Sequence, residues 1–137
     1  MTETPKPWVM VDGFSCTKNY SSATLIKLIT ESDYFLQGHF PQYSIYPGLL
    51  LVECIRQGAE RLLVNITGDQ SLFQWNMVKN STRFTRPVLP GDTVLFELNV
   101  VSFPSNSEFK INAVGYVNEK IVIRSNLILA RKENASV

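Results

Sequence analysis

The sequence predicts an α+β domain in which one long buried helix lies in a curved, mostly antiparallel β-sheet. Three observations carry this. An apolar run with helical spacing follows a Pro-Gly pair at positions 47 and 48. About six alternating strand patterns surround it, most of them later in the chain. The connections between the later strands are short, which suits antiparallel neighbours. A lone helix that is apolar nearly all round needs a sheet wrapped over several of its sides. With 137 residues, 45% hydrophobic and 18% charged, the chain fits one domain with its own core. We place that domain at 8–130, between a flexible arm (1–7) and a polar tail (131–137).

Taken in order, residues 1–7 are polar and broken by Pro5 and Pro7, unlike a signal peptide. Residues 8–11 form an apolar patch that suits a strand start, closed by an Asp12-Gly13 turn signal. Residues 22–29 alternate imperfectly and read as a strand. Residues 30–46 break the pattern and read as a long loop rich in aromatics, carrying the only histidine, His39. Such loops are functional or disordered, and the aromatics argue against disorder.

The helix opens at Pro47 or Gly48, where a missing N–H costs nothing. It runs to about Ile66 and is closed by Thr67-Gly68-Asp69. Leu49, Leu50, Leu51, Val52, Cys54 and Ile55 make its first turns apolar all round, so it is expected to start in the core and end nearer water. Glu53, Gln57 and Glu60 share one face. Strands then follow at 72–78, at 93–101 after the turn Pro90-Gly91-Asp92, at 109–117 and at 121–130. Asn118-Glu119 joins the last two as a hairpin, and 103–107, with Pro104 and Asn106, reads as a loop.

The formal charge of +1 argues against bulk electrostatic binding to nucleic acid. No apolar run approaches the ~20 residues of a membrane span. Two cysteines, Cys16 and Cys54, make neither a disulfide framework nor a metal cluster, and are expected as reduced thiols in a cytoplasmic protein. Four sequon matches, at Asn19, Asn65, Asn80 and Asn134, read as chance without a secretion signal.

His39 and Glu53 stand out chemically. A histidine is the side chain most readily poised to move protons near neutral pH. A carboxylate among apolar neighbours is expected to have its pKa pushed up. The plainer alternatives are a structural histidine and a Glu53 capped by Arg56 or Arg61 to anchor the helix.

Two motifs in the right order resemble the β-hydroxyacyl-acyl carrier protein dehydratases of the hotdog-fold superfamily. The first is His39-Phe40-Pro41, Pro47-Gly48, Glu53 and Gln57. The second runs from Arg83-Phe84 through Pro87-Val88 to Pro90-Gly91-Asp92. The resemblance spans about 11–130. It implies a hotdog fold, a curved antiparallel sheet around a central helix, and the removal of water from a 3-hydroxyacyl thioester. Gln42 and Ser44 depart from the family's usual Gly and Pro, which bears on the acyl pocket and hints at a polyketide or other secondary pathway.

On that resemblance His39 is the base that takes the C2 proton and Glu53 the acid that protonates the leaving hydroxyl. Glu53 would lie about 7 Å along the helix from Gly48. The Gly48 N–H, unpaired at the helix start, could bind the thioester oxygen, and Gln57 could fix the Glu53 rotamer. Tyr43, Tyr46 and Phe84 are candidate pocket walls. No cofactor and no metal are expected, because the substrate hangs on the phosphopantetheine arm of an acyl carrier protein. Lys79, Arg83 and Arg86 could receive that acidic partner, or form an ordinary solvated strand face. The family builds homodimers, often as trimers of dimers, with His and Glu of one site from different chains. Glutamate at 53, where isomerising relatives carry aspartate, favours dehydration alone. A hotdog thioesterase and a non-catalytic acyl-binding subunit are the competing readings.

Overall fold

The computed structural model describes residues 11–16, 21–29, 48–68, 75–105 and 108–131. Among them are six strands and one helix: β1 (Gly13–Cys16), β2 (Ser22–Leu28), α1 (Gly48–Thr67), β3 (Trp75–Phe84), β4 (Thr93–Ser105), β5 (Glu108–Val117) and β6 (Lys120–Arg131). The strands form one curved sheet in the order β1-β2-β4-β5-β6-β3, every neighbouring pair antiparallel. This is the sheet-and-helix arrangement of the hotdog fold.

The chain crosses from β2 to β3, at the far edge of the sheet, by way of α1, which packs on β2, β3 and β4. Alternation decides the inner face. Ala23 and Leu25 of β2 lie opposite Leu98 and Phe96 of β4, all buried. Ile111, Ala113 and Gly115 of β5 lie opposite Leu127, Ser125 and Ile123 of β6. Gly115 is required there, since a Cβ would come within 2.6 Å of Ile123.

The second motif is largely architectural. Val88 is buried, and Gly91 takes φ +96°, which a side chain would strain. The Asp92 carboxylate accepts from Leu89 N at 2.8 Å, while Gly91 N and Ile29 N exchange backbone bonds with Ile29 O and Asp92 O. This turn ties the end of β2 to the start of β4. In the β5–β6 hairpin both Asn118 and Glu119 have positive φ, as a two-residue type I′ turn demands.

Several expectations change. Asp12-Gly13 opens a strand where a turn was expected: Gly13 is already in β1, paired with Ile26, and Asp12 accepts from Leu28 N. Of the expected strand start at 8–11 only Val11 is described. β3 continues beyond the expected end at 78 to Phe84, because residues 79–84 are an exposed edge with no apolar alternation to reveal it; residues 72–74 of the expected strand lie outside the described residues. β4 runs to Ser105 through Pro104, where its pairing with β5 skips between Ser102 and Ser105 and a missing N–H breaks no regular ladder. The helix does not start in the core. Leu49 is 82% exposed, and burial is densest from Leu51 to Leu63. Its far end nears water as expected, at Asn65 and Gly68. The expected loop at 30–46 and the two termini lie outside the described residues.

Candidate active site

The helix start and the segment after β3 build a cavity of about 450 Å³, lined by Gly48, Leu51, Phe84, Thr85, Arg86, Pro87 and Val88. Thr85 pins that segment along β6: its N–H donates to Val122 O at 2.9 Å and its hydroxyl to Ile121 O at 2.7 Å. Phe84 thereby lies over Gly48. A Cβ on Gly48 would stand 2.8 Å from Phe84 Cζ, so any side chain there would have to displace the Phe84 ring. The first N–H groups of a helix have no acceptor within it, and the first turn of α1 carries no acidic residue to neutralise its partial positive charge.

Glu53 follows one turn later. Arg56 Nε donates to its Oε1 at 2.9 Å, Arg56 Nη2 to its Oε2 at 2.7 Å, and Gln57 Nε2 to Oε2 at 3.0 Å. The i, i+3 and i, i+4 spacings put these side chains on one face. Burial pushes the Glu53 carboxyl up, but the Arg56 and Gln57 hydrogen bonds and the Arg56 charge outweigh it and hold the group below its ordinary value. That reverses the upward shift expected from apolar neighbours: the neighbour that decides is Arg56. Arg56 Nη1 also reaches Glu60 Oε1 at 3.4 Å. Glu60, expected on a polar face, is 4% exposed.

Among the sequence candidates, Gly48, Phe84 and Arg86 share the cavity, while Glu53 and Gln57 are joined one turn along the helix. His39, Tyr43 and Tyr46 lie outside the described residues. Lys79 and Arg83 part company with Arg86. They belong to the outer face of the sheet, where Arg83 pairs in register with Arg124, and Lys79 and Lys110 flank Ile128. Lys79, Ser81, Lys110 and Asn126 line a groove of about 300 Å³ there. Lys110 and Arg124 had no motif to announce them; only strand register brings them in. Arg56 was visible as a possible cap, and Glu60 only as a face position. No helix is long and apolar enough to cross a membrane among the described residues.

Residues 9–126 match the family model described as a FabA-like domain. A 3-hydroxyacyl-[acyl-carrier-protein] dehydratase FabZ of Thermotoga petrophila is 33% identical over 127 residues, covering 93% of this chain and 89% of the relative. The FabZ of Petrotoga mobilis is 30% identical over 128 residues, covering 93% and 90%. A solved dehydratase heterocomplex, ApeI:P of Xenorhabdus doucetiae, superposes with TM-score 0.66 at 17% identity, over 89% of this chain and 97% of that one.

Proposed function

Because this chain belongs to the FabA-like family, we propose that it is a 3-hydroxyacyl-acyl carrier protein dehydratase, removing water from a 3-hydroxyacyl thioester to give a 2-enoyl thioester. The observation that carries this is the Glu53–Gln57 pair, hydrogen-bonded one turn beyond the Gly48 helix start and its cavity. His39 takes the proton from C2 and Glu53 gives one to the C3 hydroxyl, which leaves as water while the C2–C3 double bond forms. The Gly48 N–H holds the thioester oxygen as negative charge develops on it. Phe84, with Tyr43 and Tyr46, walls the acyl chain. Every step uses protein groups and no cofactor.

The chain works as a homodimer in the cytoplasm, with His39 and Glu53 of one site on different subunits. What supports a second copy is the ten-residue β3 at the open edge of the sheet, with Val78 at 56% and Phe84 at 50% exposure, and Leu49 exposed nearby in sequence to the cavity. An unprotected edge of this length invites another strand. Arg83, Lys79, Arg124 and Lys110 form a cationic face suited to an acidic carrier protein. Arg83 and Arg124 stand directly opposite one another, a like-charge pairing that an anionic partner relieves. Supply of a polyketide or other secondary pathway stays part of the proposal.

One observation favours a second reading. Arg56 holds Glu53 as a carboxylate, the form that would activate water in a hotdog thioesterase. Mass spectrometry of a 3-hydroxyacyl carrier protein after incubation separates the two. We expect the acyl chain to lose one water and stay attached. Release of free acid would favour hydrolysis, and no change at several chain lengths would leave only an acyl-binding subunit.

A further inference from the structure

Arg56 sits between two carboxylates of its own helix and serves them unequally. Its fork engages both oxygens of Glu53, at 2.9 and 2.7 Å, whereas a single Nη1 reaches Glu60 at 3.4 Å, long for a charge-assisted bond. Yet Glu60 is the more buried, its side chain 6% exposed against 32% for Glu53. Its Oε2 is buried with no hydrogen-bond partner among the described residues. An unpaired buried carboxylate oxygen is costly. Both acceptors lie within one turn of Arg56, so a change of side-chain rotamer exchanges them.

Resting on the dehydratase reading, we propose that Arg56 is a positioning residue that swings between Glu53 and Glu60, and that Glu53 donates its proton when the Arg56 fork has turned onto Glu60. In that state the neutral Glu53 has no need of a cation, and both Glu60 oxygens are paired. When the proton passes to the C3 hydroxyl and water leaves, Glu53 becomes anionic and Arg56 returns to it. His39 then sheds its proton to solvent and Glu53 regains one, which resets the site. Gln57 keeps its bond to Glu53 throughout and holds the carboxyl in place.

The charged groups on the strands packed against α1 do not compete. They are Lys27, held near Asp12 at 3.9 Å, and the exposed Lys79, Arg83 and Glu97. None of them is hydrogen-bonded to or ion-paired with Glu53 or Glu60.

The swing can be read without turnover. In Glu53→Gln the amide stands for the protonated carboxyl, and its crystal structure is expected to show the Arg56 fork on both Glu60 oxygens. Arg56 still directed at position 53, with Glu60 Oε2 unpaired, would overturn the proposal. A second reading comes from a ¹³C NMR titration of the Glu53 carboxyl in Glu60→Gln. With the Glu60 carboxylate replaced by a neutral amide that cannot take the fork, Arg56 stays on Glu53, so the Glu53 proton affinity should fall roughly threefold or more and kcat should fall with KM unchanged. An unaltered titration would overturn the proposal as well. A wild-type protein that swings Arg56 but dehydrates nothing would overturn the catalytic half and the dehydratase reading, and keep the movement.

Discussion

The first turn of α1 and the turns that follow it are built by opposite means. Gly48 offers shape and a backbone N–H: an uncharged start, a cavity beside it, and a Phe84 ring so near that a side chain would have to displace it. From Glu53 to Glu60 the helix offers charge, two carboxylates sharing one guanidinium. On the proposed function, the difference assigns binding and proton transfer to separate devices a turn apart. Either can then be broken without the other.

The largest expected effect falls on the charged device. Glu53→Gln should lower dehydration about 10²–10⁴-fold with little change in the carrier-protein complex, as measured by kcat and by titration calorimetry. Turnover near wild type would remove Glu53 from the chemistry. Arg56→Ala should cost about 2–3 kcal/mol of stability, since it strips Glu53 of its fork and Glu60 of its only described partner. Urea unfolding measures this.

The sign of the pH dependence follows from the same contacts. The Glu53 pKa is held down in the folded chain. Its stabilisation is therefore present above the unfolded carboxylate value and is lost as pH falls through the lowered folded one. The wild-type advantage over Arg56→Ala should shrink in acid; an advantage that grows in acid would contradict the ion pair.

The shape device should show a smaller effect. Gly48→Ala places a methyl against Phe84 and should cost about 1–3 kcal/mol, with a raised KM, and Phe84→Leu in the same chain should restore most of the loss. A Gly48→Ala protein that binds and turns over normally would mean the ring contact is incidental. Smallest of all, Arg83→Ala should weaken carrier-protein binding a few-fold and flatten its salt dependence. An unchanged salt dependence would move the docking face elsewhere.

Much of the architecture was legible in the sequence. Local signals gave α1, β2, β5, β6 and the hairpin at Asn118-Glu119, because apolar periodicity and turn residues act within a few positions of one another. The polar half of β3 was not legible, since an exposed edge strand needs no alternation. Nor was the end of β4, because Pro104 signals a loop unless the register around it is known. At the site, motif spacing marked Glu53, Gln57, Gly48 and Phe84. The ionisation of Glu53 escaped it, since burial and Arg56 act in opposite directions and only geometry tells which prevails. Lys110 and Arg124 became visible through cross-strand register alone.

Isotope exchange tests the central claim most directly. The protein is incubated with a 3-hydroxyacyl carrier protein in H₂¹⁸O, and the carrier-bound and released acids are weighed. Reversible loss and return of water at C3 should place ¹⁸O on acyl chains that are still attached, and Glu53→Gln should abolish the exchange. Heavy oxygen found only in the carboxyl group of released acid would contradict a dehydratase and mark Glu53 as the base of a hydrolase.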